Sequence, residues 1–333
     1  MPELRQNMAT KEWVIISTER AARPDAFVQS ESWPTIEGEP EHDDKCPFCI
    51  GNEELDLEVE RWPENGSWQT RVVHNKYPAL LRDEVLERSF NDHHRKMSGV
   101  GHHEIVIEHP SHNTTWALMS VDELRAVLET FYRRGWSIRT DTRIEQIMYF
   151  KNHGYRAGAS LKHPHSQIIA LPIVPAFIRQ RVEEARRYFD DHGQNVFQVM
   201  IENELRDGQR IISQNQHFVA IALYASNVPF HTWILPRQQS ISFLYVQPDE
   251  LDSLAEIMRD LMRRIYFGLR DPSYNFIIRS APVKEISNDY YQWYVTVVPR
   301  LSRTAGFELG TGMFINPALP EGCAEFLRNV DIS

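Results

Sequence analysis

Two stretches of this 333-residue chain read as copies of each other, and that repetition limits the fold more than any other feature. "MSVDELRAVLETFYRRGWSIR" begins at Met119 and "VQPDELDSLAEIMRDLMRRIY" at Val246. Asp122-Glu123-Leu124 answers Asp249-Glu250-Leu251, 127 positions on (122 to 249), and the same spacing joins Pro172 to Pro299. It also lays "IMYFKN" (147–152) over "YNFIIR" (274–279) and "EIVIEHP" (104–110) over "HTWILPR" (231–237), without a gap. Each copy has an apolar strand, a loop and an amphipathic helix opened by Asp. In the first helix Leu124, Val127, Leu128 and Phe131 fall at helical spacing, and two more strands follow. The pattern predicts an α+β fold of two tandem halves, each a mainly antiparallel sheet with a helix packed on one face. Residues 1–175 form the expected first half and 176–333 the second.

The segment "LKHPHSQIIALP" (161–172) breaks the symmetry. On a strand, residues i and i+2 share a face, so His163, His165 and Gln167 line up. At the spacing of 127 they answer Tyr290, Gln292 and Tyr294, so one half carries chemistry and the other shape. A neutral imidazole is a competent nucleophile toward phosphorus when one nitrogen is free and the other donates to a fixed acceptor. Gln167 can donate its amide N–H to phosphoryl oxygens as charge develops there. An isolated histidine is more often structural. This one follows "FKNHGYRAGAS", where Lys151, Asn152, Gly154, Gly158 and Ser160 form a loop with the small residues and cation that admit a phosphate.

"CPFC" places Cys46 and Cys49 at a spacing that lets two thiolates grip one tetrahedral ion, usually zinc. No other cysteine pair exists, so histidines must complete the set: His163 is one candidate, His112 another, and His109 competes. A redox pair normally opens a helix in a βαβ setting, which Gly51 and the following acidic residues do not suit. A closed Cys₂His₂ shell leaves no position for water, so such a metal would be structural. It would tie the Pro- and Glu-rich loop around residues 32–54 to the strand of His163, and so aim His165.

Composition excludes other classes. A net charge of −10 and a pI of about 5.8 make the chain a poor general partner for nucleic acid or an anionic membrane. No apolar run approaches a membrane span, and the N-terminus lacks the apolar core of a signal peptide. Three cysteines suit a reducing cytoplasm. The run "RQRVEEARRYFDD" after Pro175 reads as a solvated helix face. His74, His102, His103, His192, His217 and His231 read as surface or packing residues, as does His153, although it sits in the phosphate-loop segment.

"FKNHGYRAGASLKHPHSQIIALPIVP", with "ELRQNMATKEWVIISTERAARP", "CPFC", "HNKYPAL" and "GFELGTG", resembles the galactose-1-phosphate uridylyltransferase family, the transferase branch of the histidine-triad superfamily. The likeness runs from about residue 2 to residue 325. It implies two histidine-triad-like halves and ping-pong chemistry. His165 would attack the α-phosphorus of UDP-glucose, release glucose 1-phosphate, and pass UMP to galactose 1-phosphate. Gln167 stands where triad hydrolases carry a third histidine, and would bind the phosphoryl group of the intermediate. The resemblance implies zinc on Cys46, Cys49, His112 and His163, and nucleotide contacts from Arg20, Asn75, Asn152 and Ser160. It also implies a hexose-handling segment at Phe307 and Glu308, reached across a homodimer interface. Some members hold a second metal with a His-x-His that here reads Tyr294-Val295-Thr296, so no second site of that kind is expected. Ser166 replaces a glycine of the best-known members. "HSQ", "ALPIVP" and "FELGTG" also resemble the ADP-glucose phosphorylases, which adenylylate the same histidine and pass AMP to phosphate.

Overall fold

The computed structural model describes residues 1–17, 36, 38–285, 287 and 289–332. Strands β1 (Glu3–Gln6), β2 (Trp13–Ile16), β3 (Glu58–Trp62), β4 (Thr70–His74), β5 (Arg88–Asn91), β6 (His94–Met97) and β7 (His102–Ile107) precede helix α1 (Val121–Arg139). Then come β8 (Gln146–His153), β9 (His165–Leu171), α2 (Ala176–His192), α3 (Val196–Asp207), β10 (Ile211–Gln214), β11 (Phe218–Ala222) and β12 (Thr232–Pro236). Helix α4 (Pro248–Leu269), β13 (Tyr274–Arg279), β14 (Tyr294–Pro299), α5 (Gly306–Thr311), β15 (Phe314–Asn316) and α6 (Pro320–Arg328) complete the chain.

Ten strands form one sheet in the order β10-β11-β12-β14-β13-β8-β9-β7-β4-β3, every pair antiparallel. Both outer hairpins carry the same bulge. The register slips between Glu58 and Glu60 opposite Val73 and Val72, and between Ile211 and Ser213 opposite Ile221 and Ala220. Followed inward from that bulge, Val73 faces Ile105, Ile105 faces Gln167, and Gln167 faces Phe150. In the second half Ile221 faces Trp233, Trp233 faces Thr296, and Thr296 faces Ile277. Phe150 and Ile277 then face each other across the junction, as a twofold axis between the halves requires.

The duplication is therefore real, but the ungapped spacing is not uniform. The helices and β8/β13 keep it, whereas β12 and β14 are displaced by one and two residues. His165 answers Tyr294, His163 answers Gln292 and Gln167 answers Thr296. The extra residues sit in loops, the β13–β14 connection above all, where length changes do not disturb strand pairing.

Helices α1 and α4 cover one face of the sheet and fill the main core, with Leu124, Val127, Leu128 and Phe131 beside Leu251, Leu254, Met258 and Leu261. Each helix opens with a capping box, Ser120 with Glu123 and Gln247 with Glu250, rather than on the Asp itself. The opposite face is covered unequally. Over the second half α2 and α3 pack Val182, Phe197 and Ile201 against Trp233 and Tyr294. Over the first half a loop packs Cys46, Phe48 and Cys49 against Trp68, Val73 and Ile107. A small sheet, β1-β2-β15, ties the first residues to the C-terminal end through a parallel β2–β15 pair. Among the described residues no helix is long and apolar enough to cross a membrane.

Candidate active site

Cys46, Cys49, His112 and His163 come together with their ligand atoms all within 4.8 Å of one another, and all four are buried. Cys49 Sγ lies 3.5 Å from both His112 Nδ1 and His163 Nδ1. A tetrahedral zinc with Zn–S of about 2.3 Å and Zn–N of about 2.0 Å has an S···N edge of about 3.5 Å, so the donor set fits the ion. His163 Nε2–H donates to the His109 carbonyl at 2.8 Å, which leaves Nδ1 bearing the lone pair that faces the sulfur. That bond also decides between the candidate histidines. His109 contributes its carbonyl, while its ring contacts Glu123 through Nε2 and accepts from Ser111 N–H at Nδ1. Burial pushes the Cys46 thiol up to about 11 and the His163 imidazole down to about 3, so a bound cation is what would hold Cys46 as a thiolate.

His163 lies in the bend that leads into β9 rather than on the strand expected from the sequence, and His165 is the first residue of that strand. His165 Nδ1–H donates to the His163 carbonyl at 2.8 Å, which fixes the ring and leaves Nε2 unprotonated. The ring is 6% exposed, and burial lowers its basicity, which keeps it neutral. Phe48 from the Cys loop packs edge-on against it at 5.4 Å. Two cavities, of about 190 and 320 Å³, meet at Ser160, Leu161 and His165. Asn152 lines the smaller, and Asn75 and Gln167 line the larger, so five of the expected residues converge.

His103, read as a packing residue, joins them. Ala79 N–H donates to its Nδ1 at 3.0 Å, so the proton sits on Nε2 and is donated to Gln167 Oε1 at 2.9 Å. Asn75 Nδ2 lies 3.1 Å from the same nitrogen. With its carbonyl occupied, Gln167 presents its amide N–H groups to the cavity. Arg71 of β4 also lines this wall, bonded to Glu58 through Nε with Nη1 buried and unpartnered.

Lys151 does not serve as the expected phosphate cation. It belongs to β8, not a loop, and its ammonium is bound to Glu108 at 2.5 Å and to the His165 carbonyl at 3.2 Å. Glu108 also receives the Ser166 hydroxyl. This buried set supports the His165 peptide from behind. Gly154 has a reason to be glycine: φ is +78°, and a Cβ there would meet Ser273 Oγ at 2.2 Å. His153 is structural, bonded to Asp271 at 2.8 Å and stacked on Tyr274. Arg20 lies outside the described residues. Phe307 and Glu308 stand on exposed α5 and line neither cavity at His165 within one chain. Arg181, in the run read as solvated, turns inward instead, its side chain 12% exposed.

The second half repeats the support without the donors of the metal set. Gln198 bonds Gln292 as Cys49 contacts His163. Gln292 Nε2 donates to the Pro236 carbonyl, one position before the counterpart of the His109 carbonyl that accepts from His163 Nε2.

Comparison with known proteins agrees with this architecture. The family profile described as galactose-1-phosphate uridyl transferase, N-terminal domain, matches residues 1–175, and that of the C-terminal domain matches residues 181–305. The chain is 35% identical to the ADP-glucose phosphorylase of Arabidopsis thaliana, over all of this chain and 94% of that protein. It is 27% identical to the galactose-1-phosphate uridylyltransferase of Thermotoga maritima, over all of this chain and 99% of that one. A crystal structure of an Arabidopsis thaliana ADP-glucose phosphorylase with bound ADP-glucose superposes with a TM-score of 0.84 at 31% identity, covering both chains completely. Two profiles in tandem and relatives matched from end to end leave one conclusion: the chain belongs to the galactose-1-phosphate uridyl transferase family.

Proposed function

We propose that this protein moves a nucleotidyl group from a nucleoside diphosphate sugar to a phosphate acceptor through a covalent adduct on His165. The carrying observation is the Nδ1–H bond from His165 to the His163 carbonyl, which leaves Nε2 as the free nucleophile. The Nε2 lone pair attacks the α-phosphorus. The bond from that phosphorus to the bridging oxygen breaks, and the sugar phosphate leaves with the electron pair. The positive charge that develops on the ring is stabilised through Nδ1–H by the same carbonyl. Gln167, oriented by His103, donates to the phosphoryl oxygens of the intermediate. An acceptor phosphate oxygen then attacks phosphorus from the face the leaving group vacated, and Nε2 departs with its lone pair.

In this reading residues 1–175 supply the nucleophile and the metal set, and residues 176–333 complete the sheet and carry the sugar-side segment. Cys46, Cys49, His112 and His163 hold one zinc, whose part is to fix the support of His165. Asn75, Asn152 and Ser160 contact the nucleotide. A second copy of the chain brings Phe307 and Glu308 to the cavity. The three cysteines, unpaired in the structure, are in keeping with a reducing compartment.

ADP-glucose as donor and inorganic phosphate as acceptor is the favoured pair, supported by the 35% identity to an ADP-glucose phosphorylase against 27% to the uridylyltransferase quoted above. Transfer of UMP from UDP-glucose to galactose 1-phosphate is the second reading, supported by the family itself. Intact mass after incubation with each nucleotide sugar separates them. An AMP adduct from ADP-glucose, absent in His165→Ala, is expected. A UMP adduct alone moves the assignment to the second reading, and no adduct with either removes the proposal.

A further inference from the structure

A cavity of about 800 Å³ lies over the face of the second half that answers the His165 site and reaches across the junction to Phe150, Asn152, Ile169 and Leu171 of the first half. Its wall includes His231 and Thr296, the counterparts of His103 and Gln167, and the two are bonded in the same way, Nε2 to Oγ1 at 2.7 Å. The counterpart of the nucleophile is Tyr294, whose hydroxyl accepts from Arg181 Nη1 at 2.6 Å. A phenol held this way offers no nucleophile to phosphorus, so what binds here is not transformed.

Three guanidinium groups line the cavity: Arg181, Arg279 and Arg300. Arg181 has Glu12 as counter-ion at 3.0 Å. Neither Arg279 nor Arg300 has a carboxylate at ion-pair distance among the described residues, although burial opposes the charge of both. Arg279 Nε is buried without a hydrogen-bond partner. His231, 9% exposed, leaves Nδ1 without one too. Unpaired guanidinium groups in a low-dielectric pocket are costly, and an anion that enters removes that cost. In a chain of net charge −10, such a cluster is a local exception rather than part of a general positive field. Phe150, Leu171, Phe177 and Trp233 give the wall an apolar side that suits a ring, and Asn7, Asn227, Asn275 and the Glu12 carboxylate that pairs with Arg181 also line it. The volume lies within the range of small-molecule sites, about 300–1,000 Å³.

We propose that the second half is a binding site for an organic phosphate, a phosphate ester carrying a ring, which it holds without reacting. This stands on the geometry of the second half and does not depend on the reaction proposed for His165. It also has a route to that reaction. Arg300 Nε donates to Asn275 Oδ1, and Asn275 Nδ2 donates to Asn152 Oδ1 at 2.7 Å, with Asn152 in the wall of both this cavity and the smaller one at His165.

Equilibrium dialysis of the full chain with labelled AMP, and separately with labelled glucose 1-phosphate, tests the site and distinguishes nucleotide from sugar phosphate. Two molecules of one probe per chain are expected, and one in Arg279→Gln, with transfer activity at saturating substrate retained. Arg279→Lys is expected to keep the second molecule with affinity weakened by about tenfold, because the ammonium keeps the charge but loses the forked geometry. Asn227→Trp, which fills the cavity from a loop, should also remove it and covers the case in which Arg279→Gln fails to fold. A single molecule per chain that Arg279→Gln leaves in place, with both probes, overturns the proposal, whereas a single molecule that Arg279→Gln releases is the one at this site. So does a second molecule held undiminished by Arg279→Gln or Asn227→Trp.

Discussion

Replacing Lys151 by methionine should destabilise the protein far more than removing Lys151 and the Glu108 charge together. The two side chains are 2% and 0% exposed and meet at 2.5 Å. At an effective dielectric of about 20 their attraction is about 7 kcal/mol, of the same order as the several kcal/mol per ion needed to strip both of water. As a unit the pair is near break-even, but half of it is not. Lys151→Met leaves the Glu108 carboxylate with the Ser166 hydroxyl as its remaining side-chain partner, at an expected cost of about 3–5 kcal/mol. Glu108→Gln strands the ammonium at a similar cost near neutral pH. Because burial already holds the Lys151 pKa below the usual lysine range, that cost shrinks as pH rises and the lysine sheds its proton. The double variant Lys151→Met/Glu108→Gln keeps an acceptor for Ser166 and strands no charge. Its loss should be smaller than that of Lys151→Met alone, and so fall short of the sum of the singles by more than about 3 kcal/mol. Urea unfolding at pH 7, with a common m-value, measures all four proteins. Additive losses would refute the reasoning, since they would mean that the two charges do not sense each other in solution.

Cys46→Ser should lower bound zinc below one per chain, lower the thermal midpoint and slow adduct formation together; a metal-free variant with an unchanged midpoint would contradict the support role of the cluster. His103→Ala frees the Gln167 carboxamide to rotate, so nucleotidylation of His165 should slow by about 10- to 100-fold while nucleotide-sugar affinity changes little, which single-turnover kinetics resolves. Burial and the nearby arginines hold His231 neutral, with its pKa lowered to about 3. Between that value and the unfolded value of about 6.5 the unfolded chain binds the extra proton, so stability should fall as pH drops through this window, by at most about 1.4 kcal/mol per pH unit. His231→Gln should flatten that slope in pH-dependent unfolding.

The two covering helices were legible because their apolar residues recur at helical spacing and their charged first turns repeat. The cysteine pair was legible from its spacing, while the choice of His112 over His109 came from the family resemblance, and the structure brings the four together; strand alternation put His165 and Gln167 on one face. The outer strands were not. The bulges in β3 and β10 break the alternation by which a strand is recognised, and β11, "FVAIA", is buried on both faces and shows none. The slips in β12 and β14 were hidden by the uniform spacing of the helices, which dominate the similarity. His103 sits beside His102 in sequence, and alternation sends His102 to Asp141 and His103 to Gln167. What makes His103 matter is its position beside Gln167 across the β7–β9 ladder, and pairing register is not written in either strand alone. Arg181 was misread for a related reason: a charge run on α2 says nothing about which of its members faces a cavity in the sheet below.

The Gln198–Gln292 cluster gives the molecule unequal flanks. Where one side of the sheet would be secured by a zinc on sulfur and imidazole, the other is secured by carboxamides, which neither chelators nor oxidants attack. With that zinc in place, metal starvation or thiol oxidation would thus unpin only the flank that bears His165. The protein would fall silent before it fell apart, and restoring metal and reductant to a still-folded chain would bring it back.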